Sequence, residues 1–382
     1  MLRIKPQMLR ITPRAPLPPT AFTLPARFYT DAALFAREQE LFFRGMWMSV
    51  GRLEELTSVG SFIVRSVAGD SLIIVRDTEA TIRAHYNVCR HRGTTLCAES
   101  HGQLNGSIQC PYHAWTYAYD GALVGAPHMD GTAHFSKADF PLKAVRAAVW
   151  DGFIWVNASN DGPSLETQLA DLPAKFAPWR MGDLRRGARL EYDISANWKL
   201  ILQNFSECLH CPNLHPVLNK LSHYLSGENE PLQPTYMGGR MDLSPGVETM
   251  SMDGSRSCAY LPSLGDDERR RVYYYAIFPN LLISAHPDYV MVHTLWPLAH
   301  DRTRLTCEFL FHPSALNAGT FEPLNILNFW DMTNRQDWSV CELAQQGISS
   351  RGYTPGPYSN REELLYAFDQ FIVDRLKAGT DV

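Results

Sequence analysis

Four residues in two short runs could bind a metal centre. Cys89 and His91 stand one residue apart, and after eighteen further residues Cys110 and His113 follow with two residues between them. One thiolate and one imidazole from each run are the ligands of a [2Fe–2S] cluster in which cysteines hold one iron and histidines the other. Zinc is the alternative, because cysteine and histidine at short spacings also form tetrahedral sites. The one-residue spacing of Cys89 and His91 favours the cluster, since zinc ligand pairs usually stand two to four residues apart.

A second group of candidate ligands lies more than ninety residues later. Glu207 and His210 are three residues apart, which predicts one helix face, and His215 follows a helix break at Pro212. Two imidazoles and one carboxylate form the facial triad of non-haem Fe(II) oxygenases, which leaves positions open for O₂ and substrate. By themselves the two histidines could equally be satisfied core residues.

The carboxylate of such a triad must come from elsewhere in the chain. Three candidates, Asp331, Asp337 and Glu342, lie on a predicted helix near the C-terminal end. Taken alone, an acidic residue on an amphipathic helix is usually a solvated charge.

The flanking residues of both sites carry a family resemblance. The segments 89–93 and 110–121 resemble the two cluster loops of Rieske non-haem iron oxygenase alpha subunits, and Asn197-Trp198-Lys199 precedes the second site as in that family. The resemblance extends over nearly the whole chain. It implies an α+β protein, with an N-terminal all-β Rieske domain and a C-terminal catalytic domain of helix-grip type, built from an antiparallel sheet and helices.

The same resemblance implies roles for individual residues. Segment 333–342 resembles the stretch around the family's ligating aspartate, which selects Asp337 as the third iron ligand beside His210 and His215. Alpha subunits of this family usually form trimers in which the cluster of one subunit lies beside the iron of the next. Glu207 would be the bridging carboxylate, facing His210 of its own subunit and His113 of the neighbour.

One local feature suggests a branch of the family. Residues 207–211 read Glu-Cys-Leu-His-Cys, which resembles the oxygenases of glycine betaine, proline betaine (stachydrine) and carnitine; aromatic dioxygenases have an aspartate and a different spacing here. The implied reaction uses O₂ and electrons from NAD(P)H, delivered by a flavin or iron–sulfur reductase, with or without a ferredoxin. An oxygenase of aromatic rings or aromatic acids is the main alternative. An electron-transfer protein and a zinc-stapled binding module are two others.

A quaternary ammonium substrate would need an aromatic pocket, because it cannot accept a hydrogen bond but is attracted to ring faces. The predicted pocket residues are Phe205, Tyr275, Trp296 and Phe309. A core face explains the alternation of these rings along predicted strands equally well.

The elements that must position these residues fall into two predicted domains. A tail and helix, capped by Thr30 or Asp31, occupy residues 1–46; short strands separated by glycines form a domain over 47–158; and residues 159–382 form the catalytic domain. In the last part we predict helices over 197–210 and 324–346, and strands over 272–278, 289–296 and 305–311.

Composition restricts the partners. A net charge of −5 without a basic stripe disfavours nucleic acid, and the longest apolar runs are too short to span a membrane. The eight cysteines do not form the pattern of a secreted disulfide framework, so we expect reduced thiols and a cytoplasmic location.

Overall fold

The computed structural model describes residues 15–159, 161–318 and 321–378. The chain forms two compact units, of which one is Glu38–Pro173 and the other joins the segment up to Arg37 with Ala174–Val382. The domain predicted over 47–158 lies inside the first unit, and its limits stay a prediction. The first fourteen residues of the predicted tail lie outside the described ranges.

The N-terminal segment forms two short helices, α1 (Arg27–Thr30) and α2 (Ala32–Glu38), and a π-helical turn over Gln39–Arg44. Asp31 caps α2, because its Oδ1 accepts hydrogen bonds from the backbone N–H groups of Ala33 and Leu34 at 2.7 and 3.1 Å.

The unit Glu38–Pro173 is built from short antiparallel strands. They are β1 (Met48–Arg52), β2 (Ser61–Val67), β3 (Asp70–Arg76), β4 (Ile82–Tyr86), β5 (His101–Gln103), β6 (Ile108–Gln109), β7 (Thr116–Tyr117), β8 (Leu123–Gly125), β9 (Ala144–Trp150) and β10 (Phe153–Asn157). One sheet has the order β1-β10-β9-β4-β3-β2-β5, and a smaller one the order β6-β7-β8. Ala68 and Gly69 join β2 to β3 with φ of 48° and 84°, the two-residue turn whose twist matches the strands.

The second unit contains a single large antiparallel sheet among its described residues. Its strands are β11 (Arg185–Ile194), β12 (Glu228–Asn229), β13 (Tyr236–Asp242), β14 (Arg271–Ile277), β15 (Leu281–Ala285), β16 (Tyr289–Ala299) and β17 (Arg302–Phe311). They follow the order β11-β17-β16-β15-β14-β13-β12. All residues of β15 and most of β16 and β17 are buried, which explains their nearly continuous apolar sequence.

The next helices in chain order are α3 (Leu165–Leu169), which lies in the unit Glu38–Pro173, and α4 (Leu172–Phe176), which begins in that unit. The remaining helices of the second unit are α5 (Trp198–Phe205), α6 (Cys211–Leu214), α7 (Pro216–Leu221), α8 (Pro313–Leu316), α9 (Leu324–Ile348) and α10 (Glu363–Ala378). Short 3₁₀ turns occupy Leu53–Glu55, Lys137–Asp139, Ala177–Trp179, Met181–Asp183, Tyr224–Ser226 and Glu268–Arg270. The predicted α+β class, with an all-β unit before a sheet-and-helix unit, is confirmed. No helix in the described ranges is long and apolar enough to cross a bilayer.

The helix predicted over 197–210 is shorter than expected. Asn197 caps α5 by accepting the N–H of Lys199 at 3.0 Å, but the helix ends at Phe205. The N–H of Leu209 donates to the Glu207 carboxylate instead of to a helical carbonyl. Glu207 and His210 therefore lie in the connection between α5 and α6, and their predicted placement on one helix face is wrong.

A buried acid precedes the central strand β16. Asp288 is fully buried and accepts a hydrogen bond from the Thr249 hydroxyl at 2.5 Å. Burial raises the pKa of Asp288 to about 7, although Thr249 and Arg256 oppose the shift. The folded-state pKa thus exceeds the unfolded value of 3.8. The group's contribution to stability is therefore present below pH 4 and is lost as the pH rises through 7.

Asp288→Asn should remove this pH dependence, because the amide keeps a hydrogen-bond acceptor for Thr249 and never ionises. Between pH 5 and pH 8, the free energy of unfolding of the variant should rise relative to that of wild type by on the order of 2 kcal/mol. Urea denaturation followed by tryptophan fluorescence at several pH values measures this difference. Asp266→Asn, at an exposed aspartate, serves as the control. If the difference in unfolding free energy between Asp288→Asn and wild type does not change with pH, the prediction is contradicted.

Candidate metal centres

The first predicted site lies on two similar loops of the unit Glu38–Pro173. In one loop, the Cys89 N–H donates to the carbonyl of Thr94 at 2.8 Å and the Gly93 N–H donates to the carbonyl of Cys89 at 3.0 Å. Gly93 has a φ of +74°, a left-handed conformation that favours glycine. The loop therefore closes on Cys89 and leaves His91 at its tip.

The second loop repeats this arrangement. The Cys110 N–H donates to the carbonyl of Trp115 at 2.8 Å, and the Ala114 N–H donates to the carbonyl of Cys110 at 3.1 Å. His113 thereby reaches the same place as His91, and their ring centroids are 4.8 Å apart.

The four candidate cluster ligands differ in burial, with the cysteines buried and the histidines closer to solvent. Cys89 and Cys110 are free thiols with exposed fractions of 2% and 3%, whereas His91 is exposed and His113 is half-buried. The Tyr117 hydroxyl lies 3.4 Å from the Cys89 sulfur. Two buried sulfurs and two outward imidazoles fit a [2Fe–2S] group with its cysteine-bound iron inside and its histidine-bound iron near the surface.

The second predicted site lies entirely within the other unit. Nε2 of His215 is 2.8 Å from Oδ1 of Asp337, and Nε2 of His210 is 3.4 Å from the same oxygen. Ligand atoms of the three residues lie within 4.8 Å of one another. One carboxylate and two imidazole nitrogens thus face a common point, and their chemistry suits a divalent transition metal with open coordination positions.

The other two acidic candidates are engaged elsewhere. Asp331 accepts from the Tyr192 hydroxyl at 2.9 Å and pairs with Arg335 at 2.9 Å, while Glu342 accepts the N–H of Ser195 at 2.9 Å. Of the three predicted carboxylates, Asp337 alone lies beside the histidines.

Each imidazole also forms a hydrogen bond through its other ring nitrogen, Nδ1. The Nδ1–H of His210 donates to Glu207 at 2.5 Å, and the Nδ1–H of His215 donates to the side-chain oxygen of Gln336 at 2.7 Å. Such bonds set the tautomer and leave Nε2 as the ligating atom. Gln336 was not among the predicted site residues, although its position directly before Asp337 could have indicated it. For Glu207, the contact with His210 is present, and the link to a second subunit stays a prediction.

The same contacts shift the pKa values of His210 and Asp337. Burial lowers the pKa of His210, but hydrogen bonds to Asp337 and Glu207 outweigh it and raise the pKa to about 10. Burial raises the pKa of Asp337, yet hydrogen bonds from His210 and His215 hold it below its usual value. The cluster therefore attracts positive charge, which a bound metal ion supplies when it displaces protons from the imidazoles.

The connection that carries Glu207 and His210 contains a disulfide bond. Cys208 and Cys211 are joined, with their Cα atoms 5.0 Å apart, whereas the other described cysteines are free. The expectation of reduced thiols throughout is wrong for this pair. The three-residue spacing of the two cysteines makes the bridge a local one.

A cavity of about 1130 Å³, part of it open to solvent, adjoins the three ligands. Of the four predicted pocket residues, Phe205 lines this cavity, together with the rings of Tyr274, Trp330 and Trp338. The other three, Tyr275, Trp296 and Phe309, do not line it.

Strand alternation explains why Tyr275 and Trp296 do not line the cavity. Tyr274 and Tyr275 are consecutive in β14 and point to opposite sides of the sheet, where Tyr275 packs against Phe176 with ring centroids 5.1 Å apart. Trp296 likewise lies on the opposite side of β16 from His293, which lines the cavity. Phe309 faces the same side of the sheet as its cross-strand partner Met291, which lines the cavity, but it is fully buried, with its ring 6.5 Å from that of Tyr289.

Two buried polar groups occur in the cavity wall. Within the described residues, the two ring nitrogens of His293 and the indole nitrogen of Trp338 have no hydrogen-bond partner. Burial lowers the pKa of His293 to about 4, although Asn334 and Asp337 oppose the shift. The imidazole is therefore neutral at physiological pH and adds a hydrogen-bonding group without adding positive charge.

Comparison with known proteins agrees with this geometry. Residues 46–136 match the Rieske [2Fe-2S] domain family, and residues 181–378 match the ring hydroxylating alpha subunit (catalytic domain) family. The carnitine monooxygenase oxygenase subunit of Acinetobacter baumannii is 35% identical over 88% of this chain and 88% of its own. The glycine betaine monooxygenase oxygenase subunit of Chromohalobacter salexigens is 31% identical over 90% of this chain and 83% of its own.

A solved structure has the same fold. The quaternary ammonium Rieske monooxygenase CntA, in complex with its substrate L-carnitine, superposes with a TM-score of 0.77 at 24% identity, over 93% of this chain and 95% of that one. With both family matches, this confirms the resemblance in the cluster loops. The chain belongs to the ring-hydroxylating alpha subunits of the Rieske non-haem iron oxygenases.

Proposed function

We propose that this chain is the oxygenase component of a Rieske monooxygenase that oxidises a quaternary ammonium compound. The observation that carries the proposal is the convergence of His210, His215 and Asp337 at an aromatic-lined cavity. Relatives that oxidise carnitine and glycine betaine support the substrate class. The oxygenation of aromatic rings has less support, since the likeness to naphthalene dioxygenase is limited to the fold.

In this proposal, Cys89, His91, Cys110 and His113 hold the [2Fe–2S] cluster, and His210, His215 and Asp337 hold a mononuclear Fe(II). When both groups are bound, they supply electrons and activate O₂ for insertion of one oxygen atom. Gln336 and Glu207 keep the two imidazoles oriented through Nδ1. The residues themselves supply the ligand geometry and the cavity, while the chemistry belongs to the iron.

The cavity positions the substrate. An N-methyl ammonium group cannot accept a hydrogen bond, so the faces of Phe205, Tyr274 and Trp330 would hold it through cation–π attraction of about 0.5–2 kcal/mol each. Oxidation of the C–H bond next to nitrogen consumes O₂, two electrons and two protons, and yields a hemiaminal and water. The hemiaminal then loses an aldehyde and leaves the dealkylated amine.

Electrons would enter from NAD(P)H through a separate flavin or iron–sulfur reductase, with or without a ferredoxin, in the cytoplasm. We propose a homotrimer in which Glu207 links His210 to His113 of a neighbouring subunit. A carboxylate between two imidazole N–H groups provides a short polar path.

The substrate class is tested by anaerobic reconstitution with a reductase, followed by a screen under ¹⁸O₂. Glycine betaine, carnitine and choline are compared with benzoate and naphthalene. The proposal expects an aldehyde and a dealkylated amine from a quaternary ammonium compound, with one labelled oxygen atom incorporated into the aldehyde or its hydrate. A labelled cis-diol from an aromatic compound would refute it.

His210→Ala should lower the iron content without removing the cluster. We expect about three irons per chain in the wild type and about two in the variant, with the Rieske EPR signal of the reduced protein retained. Iron and sulfide analysis with EPR measures both quantities. His101→Ala, at an exposed histidine, should keep about three irons, and equal iron in all forms would exclude His210 as a ligand.

Glu207→Gln should slow turnover roughly 10- to 100-fold, because the amide no longer carries the charge that orients the imidazole of His210 and, in the proposed trimer, that of His113 in a neighbouring subunit. Iron content and the rate of cluster reduction by the reductase should stay unchanged. Single-turnover oxidation of the reduced cluster in the presence of substrate and O₂ measures the affected step. The surface variant Glu191→Gln is the control, and wild-type reoxidation in Glu207→Gln would contradict the bridging role.

A further inference from the structure

The cavity beside the three ligands has two chemically different ends. At one end, His293 of β16 packs edge-to-face against Trp338, the residue after Asp337, with ring centroids 6.0 Å apart. At the other end, Leu364 of α10 and the central residues of β13 form the wall, and α10 packs on β13. Three strand spacings separate β16 from β13, a span of about 14 Å. Tyr274 of β14 extends the aromatic surface to one strand spacing, about 5 Å, from β13, so a small zwitterion can contact both ends at once.

The aromatic end lies beside the ligands. Phe205 contacts Tyr274 and His293 with ring centroids 6.1 and 6.2 Å apart, and Trp330 completes the group. These side chains carry no formal charge at neutral pH, and the nearby Asp337 is acidic. This end suits the positive part of a substrate.

Two arginines line the other end, and they differ in orientation and in partners. Arg240 pairs with Tyr273 across the strands and therefore points to the opposite side of the sheet from Tyr274, where it forms an ion pair with Glu228 at 2.5 Å. The half-buried Arg361 forms no ion pair, and its guanidinium makes no hydrogen bond to any residue in the described part of the chain. Its only polar contact with the described residues runs from its backbone N–H to the hydroxyl of Ser359 at 3.4 Å. Arg361 thus presents an uncompensated positive charge to the cavity.

A guanidinium in this setting matches a carboxylate in charge and in geometry, since its planar N–H groups can form two parallel hydrogen bonds. We propose that Arg361 binds the carboxylate of the substrate and thereby selects betaine-type zwitterions over quaternary ammonium alcohols such as choline. The ammonium group then lies at the aromatic end, next to the iron ligands. This inference rests on the proposed function and adds a specificity-determining residue to it.

The test compares ligands that differ only in negative charge. Carnitine and glycine betaine are titrated into the iron-loaded holoenzyme by calorimetry, beside their methyl esters and choline. In Arg361→Gln, the Kd and KM of the zwitterions should rise about 10- to 100-fold with little change in kcat, because a charge-assisted hydrogen bond is lost. The affinities for the esters and choline should stay the same or improve.

Arg361→Lys should recover part of the affinity, because it keeps the charge but not the bidentate geometry. Arg351→Gln, at an exposed arginine outside the cavity wall, is the matched control and should behave like wild type. Thermal unfolding of each variant shows whether the fold is retained.

The two proposals fail in different ways. If wild type binds zwitterions and esters equally, or if Arg361→Gln weakens both to the same extent, the role of Arg361 is refuted while the substrate class survives. If wild type binds and turns over none of these quaternary ammonium compounds, the substrate class itself is refuted, and the role of Arg361 with it.

Discussion

The carboxylate of Asp337 holds the second site together. It lies in a largely buried position, where an isolated negative charge would be costly, and the imidazoles of His210 and His215 offset that cost. This contact requires helix α9 to lie beside the connection between α5 and α6 in one register. Gln345, about two turns further along α9, fixes that register, because its side-chain oxygen accepts the N–H of Asn197 at 3.0 Å. The cap of α5 and the position of the carboxylate are therefore parts of one arrangement.

The connection after Phe205 has a second constraint. Glu207 contacts His210 three residues later, a contact that a continued helix could also make. The chain instead leaves the helix at Ser206, whose hydroxyl donates to the carbonyl of Leu202 at 2.7 Å. The Cys208–Cys211 bridge then closes a loop around His210. A compact, cross-linked loop limits how far this imidazole can move away from Asp337.

The aromatic side chains on the two faces of the sheet have different roles. On β14, Tyr273 and Tyr275 pack against Trp179 and Phe176, with ring centroids 4.9 and 5.1 Å apart, while Tyr274 faces the cavity. One face of the strand thus stabilises the fold, and the other forms the aromatic wall that the proposed substrate would contact. Arg361 at the far end of the cavity adds a positive charge that the aromatic end lacks.

The parts of this protein that depend on short-range spacing could be predicted from the amino-acid sequence alone. Cys89 to His91 and Cys110 to His113 identify two ligand loops because each pair lies within a few residues, and the neighbouring family motifs gave the α+β class. The sequence could offer three carboxylates for the third ligand position, and only local resemblance preferred Asp337. Features that depend on distant contacts required the tertiary structure. Asp337 lies 122 residues from His215 and contacts it only because α9 packs beside the α5–α6 connection. The residues that line the pocket also required the tertiary structure, because strand alternation places neighbouring rings on opposite sides of the sheet but does not determine which side carries the cavity. For the same reason the contacts of Gln336 and Arg361 became visible only once the chain was folded.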